Sequence, residues 1–240
     1  MAIRTNAVPR IAAALILAAA ILLSFRLERA PRPIELQPGA TPAPSADSTR
    51  AVLERALSPG APGYDRGVAR ASVTVLEFAD FGCPYCARFA TRTYPPLAAE
   101  FVRTGLARWR YVPFALGIFT NGDEAARAAE CAGAQGRVAF GRMDDRLFVG
   151  QDVWKRAADP AGLFRSMAAG AGLDPARFTS CYAGDSAAQR VAAANALADQ
   201  LGVRATPTFF INGRRVEGAL PLEQFRAVLA EALRPARDSR

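Results

Sequence analysis

Two cysteines, Cys83 and Cys86, lie at the point where an apolar strand must give way to a helix. The preceding stretch "SVTVLEFAD" at residues 72–80 is β-branched and apolar, which predicts a buried central strand. Pro84 suits the first turn of a helix, because the N–H that proline lacks would have no partner there. The sequence therefore predicts a strand, a short break and a helix that begins at the cysteine pair.

The order of the remaining elements predicts an α/β fold in which a long helical block interrupts the sheet. The helix after the cysteines must be kinked or broken at Pro95 and Pro96. A second strand at residues 106–114 follows, and a strand–helix–strand order favours parallel pairing. The pattern is then helical over about 121–201. Asn212–Gly213 predicts the turn of an antiparallel hairpin, and a last helix is expected over about 221–233.

The spacing of the two cysteines leaves three functions open, namely zinc binding, a structural crosslink and thiol–disulfide exchange. A structural zinc site takes four ligands. This chain has one CxxC pair, no histidine, and two further cysteines that stand alone in sequence, Cys131 and Cys181. A disulfide across two residues would close a very short loop and restrict the unfolded chain little. The absence of histidine also excludes a Cys–His catalytic pair.

Thiol–disulfide exchange explains every feature of this segment. At a helix N-terminus the macrodipole and the free N–H groups stabilise a thiolate, which is the attacking species in exchange. Cys83 is expected at that position. Cys86 is expected one turn further along, within reach of a mixed disulfide formed on Cys83. The sequence thus favours a catalytic dithiol over a metal site or a structural crosslink.

An apolar segment at residues 11–25, bounded by Arg10 and Arg26, predicts export from the cytoplasm. It is long for a signal-peptide core and short for a helix that spans a hydrocarbon layer of about 30 Å. No small-x-small cleavage motif follows it, which favours an uncleaved anchor over a cleaved signal. We therefore predict that residues 1–30 form a signal-anchor or signal segment.

The proline-rich stretch at residues 31–66 predicts an extended linker, with one short helix near Ser48–Leu57. Residues 67–235 are then expected to form the folded domain. The formal net charge is +8, but the basic residues are scattered arginines without a run of five or more. This distribution argues against a nucleic-acid-binding surface.

The stretches "EFADFGCPYC" and "GVRATPTFFINGRRVEGA" together resemble the thioredoxin superfamily, and within it the DsbA-like thiol–disulfide oxidoreductases. The resemblance covers roughly residues 60–234. It implies a thioredoxin fold with a helical insertion between the second strand and the C-terminal β-hairpin. The pair "CPYC" is also the glutaredoxin dipeptide. Glutaredoxins are short and cytosolic, which fits neither the apolar N-terminal segment nor the helical block.

The resemblance also implies roles for individual residues. Pro207 matches the family's cis-proline, which faces the cysteine pair, and Thr206 would bind the substrate backbone. The alternative for Pro207 is a proline that begins a strand. Glu77 matches a buried acid that moves protons to and from Cys86, with Asp80 as a second candidate. The alternative for Glu77 is an ordinary carboxylate at a strand edge.

The two residues between the cysteines, Pro84 and Tyr85, are expected to set the local geometry and to meet the substrate. In the best-known oxidase of the family a histidine that stabilises the thiolate stands where this chain has Tyr85. Cysteines at the places of Cys131 and Cys181 form a structural disulfide in some relatives, and an oxidising compartment favours such pairing. Two buried free thiols are the alternative.

The expected function is an extracytoplasmic, periplasmic-side thiol–disulfide oxidoreductase that forms disulfides in exported proteins, without cofactor or metal. A membrane redox partner would reset the cysteine pair. The sequence leaves open a reductase of the same fold, since direction depends on the reduction potential. It also leaves open a chaperone-like binding module for unfolded exported proteins, and a metal carrier.

Overall fold

The computed structural model of this chain describes residues 46–234. The predicted signal-anchor or signal segment at residues 1–30 and the first part of the predicted linker lie outside these residues. Within the described range, no helix has both the length and the apolar character needed to cross a membrane.

Helices and strands in the described part of the chain follow the order predicted from the sequence, including the short helix near Ser48–Leu57, with one additional strand after that helix. The elements are α1 (Ala46–Ala56), β1 (Tyr64–Arg66), β2 (Val73–Ala79), α2 (Pro84–Arg88), a π-helical segment (Phe89–Thr93), α3 (Tyr94–Leu97), a second π-helical segment (Ala98–Val102), β3 (Ala107–Pro113), α4 (Gly122–Gly133), α5 (Arg137–Val149), α6 (Gln151–Trp154), α7 (Pro160–Gly170), α8 (Pro175–Ala183), α9 (Ser186–Gln200), β4 (Thr208–Ile211), β5 (Arg214–Glu217) and α10 (Leu222–Ala232).

The strands form a mixed sheet in the order β1-β3-β2-β4-β5. The pair β2 and β3 is parallel, as a strand–helix–strand connection requires, and the other neighbours are antiparallel. Asn212 and Gly213 both have positive φ, 48° and 86°, which is the backbone of a tight hairpin turn. The predicted α/β fold, with helices α4 to α9 inserted before the hairpin, is confirmed.

The helix that follows the cysteines is interrupted where the sequence predicts it. Pro95 and Pro96 have no N–H to donate, so a regular α-helical ladder cannot run through them. A π-helical segment lies on each side of the prolines. In the first, the N–H of Tyr94 donates to the carbonyl of Phe89, and in the second, the N–H of Arg103 donates to the carbonyl of Ala98. The helical stretch therefore continues past the two prolines with a changed pitch.

The folded domain begins earlier than the predicted boundary at residue 67. Helix α1 buries Val52, Leu53 and Ala56 against Phe78 and Phe210 of the sheet. Strand β1 pairs antiparallel with β3 at the edge of the sheet. The burial of three apolar residues of α1 and the pairing of β1 make residues 46–66 part of the domain, although the sequence around α1 is rich in proline.

An aromatic cluster lies beneath the start of the cysteine-bearing helix. Phe89, Trp109, Phe209 and Phe225 are almost fully buried, and their ring centroids lie 4.7–6.0 Å apart. Aromatic side chains bury large apolar areas and prefer such tilted and edge contacts. The cluster joins the helix to strands β3 and β4 and to α10, so it fixes the height of the helix above the sheet.

A buried ion pair ties the edge strand to the helical insertion. Arg66 of β1 donates to the Asp144 carboxylate of α5 at 2.7 Å, with side-chain exposures of 19% and 4%. The guanidinium also lies over the rings of Tyr94 and Tyr111, at 4.9 and 5.4 Å from the centroids. Removing one member of a buried pair leaves the other charge uncompensated.

We predict that Asp144→Ala lowers the free energy of unfolding by about 3–5 kcal/mol, because Arg66 would remain buried without its partner. Urea unfolding followed by circular dichroism measures the loss. The matched control is Glu54→Ala, which removes the partner of Arg50 in a pair with exposures of 81% and 67%. The control should change stability by about 0.5 kcal/mol or less. Equal losses in the two variants would contradict the prediction.

Candidate active site

Strand β2 ends at Ala79, and a tight turn carries the chain into the cysteine-bearing helix. The N–H of Cys83 donates to the Asp80 carbonyl at 3.0 Å, and the N–H of Gly82 donates to the Asp80 carboxylate at 2.7 Å. The other carboxylate oxygen accepts the N–H of Leu116 at 2.7 Å. Aspartate side chains often close turns in this way. Asp80 thus fixes the turn and links it to the loop after β3.

Cys83 is the N-cap residue of α2, and Pro84 occupies the first helical turn. Both cysteines are free thiols, and only 3% of Cys83 and 1% of Cys86 is exposed. Backbone N–H groups at the start of a helix have no partner within the helix and favour a negative charge near them. The predicted strand–turn–helix setting of the pair is therefore what the structure shows.

The two thiols differ sharply in acidity. Hydrogen bonding to Cys86 is the main cause that lowers the pKa of Cys83 to about 6, and burial acts against it. Thr206 and the backbone N–H groups of Tyr85 and Cys86 lower the pKa further. Burial raises the pKa of Cys86 well above its usual range. One sulfur is thus a thiolate at neutral pH and the other stays protonated.

The predicted cis-proline loop lies against the sulfur of Cys83. The Thr206–Pro207 peptide bond is cis. The Cys83 thiol donates to the carbonyl oxygen of Thr206 at 3.4 Å, across 123 positions of sequence. Pro207 directly precedes β4. The fold therefore brings together two motifs that the sequence placed far apart.

The dipeptide between the cysteines faces outward. Pro84 is exposed, and Tyr85 is 57% exposed with its ring 5.0 Å from the Arg88 guanidinium carbon. An exposed aromatic ring next to a buried nucleophile is available to a bound chain. Pro84 and Tyr85 are thus exposed beside the buried cysteines, and their contact with a substrate stays a prediction.

Of the two candidate acids, Asp80 is the one on which the charge of Cys83 acts. Burial raises the pKa of Asp80 to about 6, the N–H groups of Leu116 and Gly82 lower it, and the charge of Cys83 raises it. A carboxyl group with a pKa near neutrality can exchange protons under working conditions. The charge of Cys83 therefore acts directly on the protonation of Asp80.

Glu77 lies deeper in the sheet. Its carboxylate accepts the indole N–H of Trp109 at 2.6 Å, and burial raises its pKa to about 7. Among the described residues no hydrogen bond joins Glu77 to Cys86. Tyr111 lies within electrostatic reach of both, since burial and then the charges of Asp144, Glu77 and Cys86 raise its pKa. The proton-transfer role of Glu77 stays a prediction.

Two residues of the helical insertion reach the turn, and the sequence analysis did not select them. Gln151 donates its amide N–H to the carbonyl of Cys83 at 2.9 Å, and Lys155 donates to the carbonyl of Gly82 at 2.8 Å. About seventy positions separate each donor from its acceptor, so no local pattern marks them. The only available signal was that Lys155 is the sole lysine of the chain.

The other two cysteines are joined to each other. Cys131 of α4 and Cys181 of α8 are linked by a disulfide with an S–S distance of 2.08 Å and a Cα–Cα distance of 5.6 Å. Neither sulfur is placed to complete a four-cysteine site with Cys83 and Cys86. Across residues 46–234 no cluster of three or more His, Cys, Asp or Glu side chains is arranged to hold a metal ion.

The parallel pair β2–β3, the hairpin, the inserted helices and the CxxC at the head of a helix define a thioredoxin fold. A family model described as Thioredoxin matches residues 62–231. The chain therefore belongs to the thioredoxin family, with the helical insertion of its DsbA-like members. The resemblance inferred from the two sequence motifs is confirmed.

Solved structures with this fold include alpha-DsbA1 of Wolbachia pipientis. It is 21% identical, with a TM-score of 0.65, and the match covers 73% of this chain and 92% of that one. A periplasmic thioredoxin-like protein from Salmonella enterica serovar Typhimurium is 22% identical, with a TM-score of 0.58. That match covers 75% of this chain and 96% of the Salmonella protein.

Among curated sequences, the Na(+)/H(+) antiporter NhaA 3 of Salinispora tropica is 38% identical over 172 residues. The match covers 72% of this chain and 25% of the antiporter. The chain thus spans about a quarter of the length of the curated relatives it matches. The name of that relative describes a much longer protein, of which this chain matches only one part.

We predict that the reduced protein titrates a single thiolate with a midpoint near pH 6, seen as absorbance at 240 nm. At pH 7 about 90% of Cys83 is then ionised, so iodoacetamide should label Cys83 while Cys86 stays unlabelled. Cys83→Ala should abolish the transition. Cys86→Ala, which removes the largest cause of the shift, should move the midpoint upward. A wild-type midpoint near 8.5 would contradict this reading.

The same shift links redox state to stability. Folding lowers the pKa of Cys83, so the thiolate stabilises the reduced fold fully above its unfolded value of about 8.5. That stabilisation is lost as the pH falls through about 6. The sulfur does not titrate in the disulfide form. Between pH 8.5 and pH 6 the reduced form should therefore lose stability relative to the oxidised form.

We predict that the Cys131–Cys181 bridge forms in the exported protein and stabilises the insertion. Closing a loop of 50 residues stabilises by about 4 kcal/mol on the chain-entropy model. Cys131→Ala with Cys181→Ala should lower the free energy of unfolding by about that amount. Alkylation without reductant, followed by mass spectrometry, should label at most two thiols of the wild-type protein. Four labelled thiols would show that the bridge is absent.

Proposed function

We propose that this protein is an extracytoplasmic thiol–disulfide oxidoreductase that forms disulfides in exported proteins. The observation that carries the proposal is the pairing of two unlike thiols at one helix N-terminus. Cys83 has its pKa lowered to about 6, and Cys86 is buried with its pKa raised. Such a pair has one good leaving group and one protected resolving thiol.

The reaction begins with the Cys83–Cys86 disulfide. A substrate thiolate attacks the sulfur of Cys83, the S–S bond breaks, and Cys86 leaves and takes up a proton because its pKa is high. A mixed disulfide then joins the substrate to Cys83. The second substrate thiolate attacks the substrate sulfur of that bond, and Cys83 leaves as a thiolate. Two electrons pass from the substrate dithiol to the cysteine pair, and no cofactor takes part.

The loop at Thr206 provides a place for the substrate chain. The carbonyl oxygen of Thr206 lies 3.4 Å from the sulfur of Cys83, so a backbone N–H held there would bring a neighbouring substrate sulfur close to the pair. On the other side of the sulfur, the exposed ring of Tyr85 offers an apolar contact. Backbone pairing of this kind is independent of sequence, which suits an enzyme acting on many unfolded proteins.

The stabilised thiolate supports the oxidase direction of electron flow. Each unit by which the pKa of Cys83 falls below that of an ordinary thiol stabilises the dithiol form at neutral pH by up to 1.36 kcal/mol. A stabilised dithiol means that the disulfide form is readily reduced and therefore acts as an oxidant. The hydrogen bonds to the sulfur supply this stabilisation without the histidine that the best-known relative has at the position of Tyr85.

Location and partners complete the proposal. The apolar segment at residues 11–25 supports export and membrane attachment, and the Salmonella protein of the same fold is periplasmic by name. A structural disulfide such as Cys131–Cys181 is typical of an oxidising compartment. After each turnover the dithiol must be reoxidised, so the protein needs a membrane redox partner that accepts two electrons.

We predict a reduction potential between about −120 and −230 mV for the Cys83–Cys86 pair, measured against glutathione on residues 46–240. Cys86→Ala should trap a mixed disulfide with an unfolded substrate that carries a disulfide, because the Cys83 thiolate attacks that bond, the second substrate sulfur leaves as a thiolate, and the resolving thiol is missing. Cys83→Ala should trap none. The two variants are matched, since each removes one thiol from the same motif.

Other outcomes would point to the alternatives. A potential near −270 mV would mean that the protein reduces disulfides instead. If the double variant Cys83→Ala with Cys86→Ala kept the cellular function, the chain would act as a binding module for unfolded proteins. Metal that co-purifies with the domain and blocks alkylation of both thiols would favour the metal carrier.

A further inference from the structure

The helical insertion contacts the redox turn from a single helical face. Gln151 and Lys155 stand four positions apart, at the first residue and just after the end of α6, so their side chains lie on the same side. Gln151 is buried and donates to the carbonyls of Phe81 and Cys83. Lys155 is half-buried and donates to the carbonyl of Gly82. Three successive carbonyls of the turn are thereby bonded to the insertion.

The turn before α2 is also held by residues outside α6. The N–H of Gly82 is held by the Asp80 carboxylate at 2.7 Å. A Cβ atom on Gly82 would lie 2.3 Å from the Cβ of Phe119, so only glycine fits. The ammonium of Lys155 lies 5.0 Å from the centroid of the Phe119 ring, a cation–π contact. The Gly82 peptide is thus held between an acid, an aromatic ring and a cation.

We propose that Gln151 and Lys155 are positioning residues for Cys83, so that the helical insertion fixes the redox turn and sets how readily the attacking thiolate forms. This inference deepens the proposed oxidoreductase function and rests on it. Each of the three carbonyls accepts a hydrogen bond from the insertion, which restricts rotation of the peptides next to Cys83. Lys155 also places a positive charge one residue from Cys83.

The charged groups around the sulfur act in opposite directions. The cation of Lys155 favours the thiolate. Asp80 opposes it, because like charges disfavour each other and the charge of Cys83 raises the pKa of Asp80. The charge of Asp123 also raises the pKa of Asp80. The thiol of Cys86 and the helix N-terminus favour the thiolate independently of the insertion. The contribution of Lys155 to the stability of the Cys83 thiolate can therefore be measured by changing Lys155 alone.

The test is Lys155→Met, which keeps most of the side-chain length and removes the charge and the donors. We expect the thiolate midpoint at 240 nm to rise by about 0.5–1 unit relative to wild type. The equilibrium constant with glutathione should change about 3- to 10-fold toward the disulfide form, which corresponds to a potential about 15–30 mV more negative. Gln151→Met should shift both quantities in the same direction.

Two further variants separate positioning from general effects. Lys155→Arg keeps a cationic donor and should stay within about 2-fold of the wild-type equilibrium constant. Arg156→Met removes the neighbouring cation, whose side chain is exposed and makes no hydrogen bond or ion pair within residues 46–234. It should leave the thiolate midpoint and the potential unchanged.

The inference is overturned if Lys155→Met matches wild type in both midpoint and potential, or if Arg156→Met produces the same shift. The midpoint is read from the reduced protein alone, so it tests Lys155 even if the wild type shows no reversible two-electron couple. Absence of that couple would overturn the proposed function, whereas an unchanged midpoint in Lys155→Met would overturn only the role of the insertion.

Discussion

The site depends on where strand β2 stops. The strand lies between β3 and β4 and is buried along almost its whole length, so its end is fixed by the sheet on both sides. Asp80 then closes the turn by accepting two backbone N–H groups, from Gly82 and from Leu116. The Asp80 carboxylate thus joins the turn before α2 to the loop after β3. The position of Cys83, and with it the acidity of its thiol, therefore depends on where strand β2 ends in the sheet.

The unequal environments of the two sulfurs follow from one turn of helix. Cys83 precedes the helix and receives N–H groups, whereas Cys86 points into the core against apolar and aromatic side chains. Electrostatic stabilisation dominates at the first position and desolvation at the second. Because only two residues separate the cysteines, one sulfur can lie at the helix N-terminus and the other in the core while the two remain close enough to form a disulfide. The same spacing makes the pair unsuitable as a long-range structural crosslink.

Four of the five strands, the hairpin turn, the helix start at Pro84 and the extent of the helical insertion could be predicted from sequence, because each depends on local patterns. The contribution of residues 46–66 was underestimated, because proline-rich composition masked three buried residues on α1. The environment of Glu77 could not be foreseen. It depends on Trp109, Arg66 and Asp144, which lie on three different elements. Gln151 and Lys155 were missed for the same reason, since contacts across seventy positions leave no periodicity.

The disulfide inside the insertion has a consequence for how the protein matures. Cys131 is fully buried in the folded domain, and thiol–disulfide exchange requires access to the sulfur that is attacked. Cys181 is only partly buried, so an external oxidant can form a mixed disulfide there, which Cys131 resolves as α4 and α8 pack together. Completion of the bridge and folding of the insertion are then coupled in time. A protein that forms disulfides in others would itself be a client of that chemistry, with a brief interval after export in which its own bridge can be made.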